Sequence, residues 1–265
     1  KYANLFGVTC GEKNVLFTNN DSAYETAISL IQKGINIEAI IDNREEIDSS
    51  LIKETEKNNI KIFKGYTVVD TFGYKRINKI SIMQLSKDGQ KVIGAKKSIS
   101  CDCLGISGGW TPAVHLFTQS GGKLKFRNED QVFIPDVYPS DQISIGSCNG
   151  DFTLDEILSN TPQILKEFLN LKETDYENLE VKSSFNKSKR NIWLLPSDKV
   201  IGKTKPFVDY QNDATAKDIK LALREGFRSI EHVKRYTTTG MGTDQGKLGN
   251  MHALGIISET AGTKM

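Results

Sequence analysis

Residues 14–46, NVLFTNNDSAYETAISLIQKGINIEAIIDNREE, constrain the fold more than any other stretch of the chain. A short apolar run ends in a polar turn, Ala23, Ala27, Ile28 and Ile31 then recur at helical spacing, Gly34 stops the helix, and a second apolar run ends at Asp42. Strand, helix and strand in that order make a βαβ unit. Two parallel strands need a connection that returns the full strand length, so the crossover is right-handed and lays the helix on one face of the sheet. An α/β layered domain built on a parallel sheet follows. With 38% apolar residues in 265, the chain can bury the core such a domain requires.

In βαβ units that hold dinucleotides, the first turn carries G-x-G-x-x-G, and an acidic residue about 20 positions later accepts the ribose hydroxyls. Asp42 stands at the acidic position, whereas Thr18, Asn20 and Ala23 occupy the glycine positions. Side chains there keep the backbone away from a pyrophosphate unless Asn20 takes a left-handed conformation, which asparagine tolerates better than most residues. Two readings of the NNDSA turn follow: a degenerate nucleotide site on Asn19, Asn20, Asp21 and Asp42, or a purely structural connection.

From Ile60 to Ser107 the pattern changes to short alternating stretches, IKIF, TVVDTF, INKISIMQL and KVIGAKKSISCDCLGIS. The Asp88-Gly89 pair between two of them signals a hairpin. An antiparallel hairpin layer is therefore inserted before the chain rejoins the parallel sheet at CDCLGIS, where SGGW supplies a glycine turn that is either a plain loop or a ligand contact. ISIGSCNG (residues 143–150) reads as another apolar strand feeding a glycine turn, followed by a helix from about Thr153 that carries Leu154, Ile157 and Leu158. Residues 170–190 are polar and charged, as in a linker or surface excursion, and IWLLP is strand-like. Beyond it Thr215 and Asp218 stand at capping-box spacing, Ile219, Ala222 and Leu223 line one helix face, Gly226 ends that helix, and a second helix from Ser229 holds Ile230, Val233 and Tyr236. The expected organisation is a Rossmann-like βαβ domain over residues 1–169, a polar linker and strand over 170–205, and a small helical domain over 206–265.

Composition excludes several functions. A net charge of +2 without a basic run gives no pull toward nucleic acid. No apolar stretch reaches the roughly 18 residues of a membrane span, and the opening residues lack the layout of a signal peptide. Cys10, Cys101, Cys103 and Cys148 form no Cys-x-x-Cys pair, which argues against a zinc or iron-sulfur site and fits reduced thiols in the cytoplasm. His115, His232 and His252 lie in no motif with a nucleophile or carboxylate, so no catalytic residue is assigned. A start at lysine, without methionine, suggests a piece of a longer protein.

The second helix runs into RYTTTGMGTDQGK, residues 235–247. This is not a Walker A loop: Gly242 is one residue too near Gly246, Gly240 one too far, and Leu248 follows Lys247 where Ser or Thr is needed. Glycine amides, threonine hydroxyls and cations nevertheless suit an anionic ligand, and equally suit a loop pinned by its own hydrogen bonds.

Three stretches, VLFTNNDSAYETA, CLGISGGWTPAVHLFTQSGGKL and FVDYQNDATAKDIKLALREGFRSIEHVKRYTTTGMGTDQGK, resemble the alpha subunit of heterotetrameric sarcosine oxidase. The order of elements also resembles the nucleotide-binding half of pyridine-nucleotide-disulfide-oxidoreductase-type flavoproteins. The resemblance implies oxidation of the N-methyl group of sarcosine to give glycine, hydrogen peroxide and a one-carbon unit passed to tetrahydrofolate. It implies NAD in the alpha subunit, FMN shared with the beta subunit, FAD at the amine-oxidising site of the beta subunit, and gamma and delta subunits as further partners. The chain would then be an internal piece, lying between an N-terminal glycine motif and a folate-binding domain. Related dehydrogenase subunits carry a cysteine cluster for an iron-sulfur centre where this chain has FVDYQND, without cysteine, and Ser147 stands where related flavoproteins often place an aspartate. Under the resemblance, Lys234, Arg235 and Lys247, the amides of Gly240, Gly242 and Gly246, and Thr237, Thr238, Thr243, Asp244 and Gln245 would face a flavin phosphate at a subunit seam. The alternatives are the alpha subunit of a dehydrogenase for proline or dimethylglycine, and a non-catalytic scaffold.

Overall fold

The computed structural model describes residues 1–47, 50–171, 181, 192–200 and 203–265. A short helix α1 (Tyr2–Phe6) precedes β1 (Asn14–Thr18), α2 (Ser22–Gln32), β2 (Ile37–Asp42), α3 (Ser50–Lys57) and β3 (Lys61–Lys64). Then come β4 (Tyr66–Gly73), β5 (Ile77–Leu85) and β6 (Val92–Ser100), after which the chain returns as β7 (Cys103–Ser107). Helix α4 (His115–Gln119), the hairpin β8 (Lys123–Arg127) and β9 (Val132–Val137), a 3-10 turn at Gly146–Asn149 and α5 (Leu154–Leu169) follow. The last elements are β10 (Phe207–Asp209), β11 (Ala214–Thr215), α6 (Ala216–Arg224), α7 (Ile230–Thr237) and α8 (Asn250–Ala261).

The βαβ unit forms as its periodicity requires. Strand β1 pairs in parallel with β2 (Leu16 opposite Ile40) and with β7 (Leu16 opposite Gly105), giving the sheet order β3-β2-β1-β7. Helix α2 turns Tyr24, Ala27 and Ile28 inward, and Gly34 ends it at φ +78°. Tyr24 and Ala27 join Ile37, Ile40, Ile52 and Ile60 in one buried cluster, in which each fully buried large aliphatic side chain contributes about 1.5–3 kcal/mol. The chain is thus α/β, with a parallel sheet, additional smaller sheets and helices.

Strands β4, β5 and β6 pair in sequence order as the inserted layer. Gly89, at φ +74°, makes their expected turn, its amide donating to the Ser86 carbonyl at 2.8 Å. One stretch belongs elsewhere: IKIF is β3 of the parallel sheet, with Ala39 opposite Lys61 and Asp42 opposite Lys64. The cause is α3, which supplies a second crossover with Ile52 and Thr55 buried. Two expected strands are absent. Residues 143–145 make no strand, because Gly146 at φ +69° turns the chain at once into the 3-10 segment. The described residues of IWLLP carry no strand either. The β8–β9 hairpin and α8 were not expected. The polar stretch of residues 170–190 lies, apart from 170, 171 and 181, outside the described residues.

The chain divides into two compact units, one of residues 1–66, 72–79 and 100–191 and the other of 67–71, 80–99 and 192–265. In the second, Ala216, Ile219, Ala222, Val233, Ala253, Ile256 and Ile257 form the buried core of α6, α7 and α8, with Trp193 and Phe227 packed against it. Both halves of the capping box form at the start of α6: Thr215 Oγ1 accepts from the Asp218 amide at 3.4 Å, and the Asp218 carboxylate accepts from the Thr215 amide at 2.8 Å. Aspartate performs the role usually given to Glu or Gln.

Candidate functional site

The turn after β1 is folded onto itself. Asn19, Asn20, Asp21 and Asp42 are only 9, 2, 1 and 0% exposed. The Asn20 amide N–H donates to Thr18 Oγ1 at 3.1 Å, and that hydroxyl donates to the Asn20 carbonyl at 3.0 Å. Asn20 is not among the residues with positive φ, so the left-handed route to a close pyrophosphate approach is not taken.

Asp42 is committed inside the protein. Its Oδ1 accepts from the Arg44 amide at 2.9 Å and Arg44 Nε at 3.1 Å; its Oδ2 accepts from Arg44 Nη2 at 2.8 Å and the Tyr24 hydroxyl at 3.0 Å. Arg44 Nη2 also reaches Asp21 Oδ1 at 2.8 Å, which joins the turn after β1 to the end of β2. Burial pushes the Tyr24 phenol far above its ordinary value, and the Asp42 charge adds to the effect, so the hydroxyl stays protonated and donates. Burial works against the Arg44 guanidinium, but the hydrogen bonds and charges of Asp42 and Asp21 outweigh it and raise its pKa. Sequence reasoning missed Arg44, Tyr24, Ser107 and Trp110. Arg44, a cation two residues beyond a strand-end acid, was the available signal.

In the second unit, α7 ends at Thr237 and Thr238 takes the left-handed conformation at φ +58°. The loop that follows is organised by three side chains absent from the expected set, Asp209, Gln211 and Asn250. Asp209 is buried, and its carboxylate accepts from the amides of Gln211 (2.8 Å), Asn212 (3.1 Å) and Gly240 (2.8 Å) and from Asn212 Nδ2 (3.0 Å). Burial favours the protonated form, yet these hydrogen bonds prevail and hold its pKa below the ordinary value. Gln211 Oε1 accepts from the Thr243 amide at 2.6 Å and its hydroxyl at 2.8 Å. Asp244 accepts from the amides of Gly246 and Leu248, each at 3.2 Å. Thr237 Oγ1 donates to the Val233 carbonyl at 2.8 Å and pairs with Thr239 Oγ1, and Thr238 Oγ1 donates to the Thr237 carbonyl at 2.6 Å. The Gln245 side chain donates to the Gly242 carbonyl at 3.0 Å.

The glycines are required by this packing. Gly240 and Gly246 both have φ +73°, and a Cβ on either would collide with the side-chain amide of Asn250; one on Gly242 would collide with Gln211 Oε1. The hollow left by the missing Cβ atoms is filled by the protein itself. A phosphate placed at this loop would find the Gly240 and Gly246 amides already engaged. On the surface, Lys247 and Arg235 are exposed and Lys234 half-buried, with Arg235 4.0 Å from the exposed Glu231, and Tyr236, Met241 and Leu248 are exposed beside them. Any anion contact at this loop would therefore fall to side-chain cations and not to the Gly240 and Gly246 amides.

The two candidate sets lie in different units, Asn19 to Asp42 in the first and Lys234 to Lys247 in the second. Among the described residues no group of three or more His, Cys, Asp or Glu side chains is placed to hold a metal ion, and no helix is long and apolar enough to cross a membrane.

Residues 203–265 match the family model described as the sarcosine oxidase A3 domain. Along 98% of its length the chain is 30% identical to the sarcosine oxidase subunit alpha of Corynebacterium sp. (strain P-1) and 32% identical to that of Rhizobium meliloti (strain 1021), covering 27% and 25% of those proteins. It therefore spans about a quarter of the length of the curated relatives it matches. Among solved structures, L-proline dehydrogenase from P. horikoshii superposes with a TM-score of 0.56 at 18% identity, covering 99% of this chain and 47% of that one, which shows the shared fold. The resemblance to sarcosine oxidase alpha subunits holds across the chain.

Proposed function

We propose that this chain is an internal segment of the alpha subunit of a flavin-dependent sarcosine oxidase, contributing to cofactor contact and subunit assembly and not the site of amine oxidation. The observation that carries this reading is similarity to sarcosine oxidase alpha subunits along 98% of the chain, together with the A3-domain match at residues 203–265. In the complete enzyme, sarcosine loses its N-methyl carbon to give glycine, oxygen is reduced to hydrogen peroxide, and the one-carbon unit passes to tetrahydrofolate. FMN would lie between the alpha and beta subunits, with NAD in the alpha subunit, FAD in the beta subunit, and gamma and delta completing a cytoplasmic heterotetramer.

A bound flavin would supply the redox chemistry. The contribution of this chain is placement. Lys247, Arg235 and Lys234 offer positive charge to a phosphate, and Asp209, Gln211 and Asn250 hold the loop that carries Lys247, Asp209 through a buried hydrogen bond to the Gly240 amide, Gln211 through exposed ones to Thr243, and Asn250 through close packing. A fixed loop presents its cation without losing further conformational freedom when the ligand arrives. Engagement of the Gly240 and Gly246 amides within the protein also supports a second reading, in which the segment only scaffolds its partners.

The reading is tested by co-expressing the full-length alpha subunit with its partner subunits and following hydrogen peroxide formation from sarcosine, dimethylglycine and proline. A kcat/KM at least about tenfold higher for sarcosine is expected, equal to about 1.4 kcal/mol of transition-state discrimination. Preference for either other amine would overturn it.

A further inference from the structure

The sheet order β3-β2-β1-β7 means that the chain moves outward from β1 to β2 and β3, then crosses to the opposite side of β1 as β7. The carboxyl ends of β1 and β7 therefore flank a switch point, the place where open α/β sheets leave a crevice for a ligand. In this protein polar side chains bridge the position. Asn20 Nδ2 donates to the Ser107 carbonyl and hydroxyl, both at 3.1 Å, and to Asn19 Oδ1 at 3.1 Å. The Ser22 hydroxyl donates to Asn20 Oδ1 at 2.5 Å, and Trp110 Nε1 donates to Ser22 Oγ at 3.2 Å. These bonds form a continuous strap from the loop after β7 to the loop after β1. On the other flank, Arg44 joins Asp21 to Asp42.

Two of the features a dinucleotide would use, the acid and the Asn20 amide, are thereby occupied. The acid for the ribose hydroxyls has both oxygens bonded to Arg44 or Tyr24 and no exposed surface. The Asn20 amide is bonded to Thr18. Asn19 Oδ1 lies 3.5 Å from where a Cβ on Gly109 would stand, so the glycine turn after β7 faces a side chain at contact distance. Admitting a ribose at Asp42 would require breaking a buried ion-pair cluster, and would leave its groups without partners.

We infer that the switch point of the first unit is a closed polar lock that ties β1, β2 and β7 together and takes no dinucleotide, so that NAD in the complete enzyme is held by residues outside this turn. The assignment of the segment to an alpha subunit is unaffected by the outcome, since it rests on similarity along the chain and not on this turn.

The test uses the complete heterotetramer carrying Trp110→Ala or Ser107→Ala. Bound NAD per complex and the dissociation constant for added NAD are expected to stay within twofold of the unaltered enzyme. A tenfold weakening in either variant would overturn the inference. Because either variant could fail to assemble, the unaltered complex is also photolysed with an azido-adenine analogue of NAD and its peptides mapped. Label absent from residues 18–22, 42–44 and 107–110 is expected; label on any of the three shows the turn to be a nucleotide site.

Discussion

Replacing Arg44 with methionine should destabilise the first unit by about 3–5 kcal/mol, because it removes the cation from two buried carboxylates and leaves their charges uncompensated. Arg44 donates to Asp42 through three nitrogens and to Asp21 through one, and all three residues are under 9% exposed. For a unit of this size, each kcal/mol lowers the midpoint by about 2–4 °C, so a fall of roughly 6–20 °C is expected. Thermal unfolding of the complete subunit measures it, with hydrogen exchange at β1 and β2 assigning the transition to this unit. The triple variant Arg44→Met, Asp42→Asn, Asp21→Asn should recover part of the loss, since neutral replacement of a buried ion cluster costs less than orphaning one side of it. A loss below about 1 kcal/mol for the single variant would show that the cluster is not an energetic lock.

Asp209→Ala should release the loop of residues 238–249. The substitution removes four hydrogen bonds to one carboxylate, including that from the Gly240 amide, and leaves buried donors without an acceptor. A loss of about 2–4 kcal/mol in the helical unit follows from the cost of unsatisfied buried donors and the strength of bonds to charged acceptors. Faster amide exchange at Gly240 and Thr243, with little change in the core of α6, would locate the effect. The pH dependence has a definite sign. The Asp209 pKa is lowered in the folded chain, so its contribution is present above the unfolded value of about 3.9 and is lost as pH falls through the lower folded value. The helical unit should weaken in that acid range, and Asp209→Asn should flatten the dependence. An identical acid profile in Asp209→Asn would remove the carboxylate from the account.

The parts of the fold that could be read from the sequence were those where local pattern and tertiary demand agree. Ala23, Ala27 and Ile28 face the core as their spacing requires, and Thr215 and Asp218 cap α6 as their separation requires. IKIF was misplaced because four alternating residues fit either kind of sheet; the preceding crossover helix α3 decides the matter by making the strand parallel. ISIG was apolar enough for a strand but ends in a left-handed glycine with no ladder formed.

The candidate sites were legible as positions and not as chemistry. Asp42 does stand at the end of β2, and the glycines of the second loop do sit in a tight turn. What the sequence could not display is the filling of those places by residues distant along the chain: Ser107 reaching Asn20, and Asp209 reaching Gly240. Such bonds depend on side-chain proximity created by the fold. A glycine required by a neighbouring Asn250 looks the same in one sequence as a glycine required by a phosphate.

On the proposed reading, with the hollow of the second loop filled, cofactor contact would fall to the surface cations Arg235 and Lys247. Flavin content of the assembled oxidase carrying Arg235→Ala and Lys247→Ala tests this most directly, measured as FMN released per complex alongside confirmation of intact subunit stoichiometry. Loss of more than half the FMN from an otherwise intact complex is the expected result. Full FMN occupancy would contradict it and leave the loop as scaffold alone.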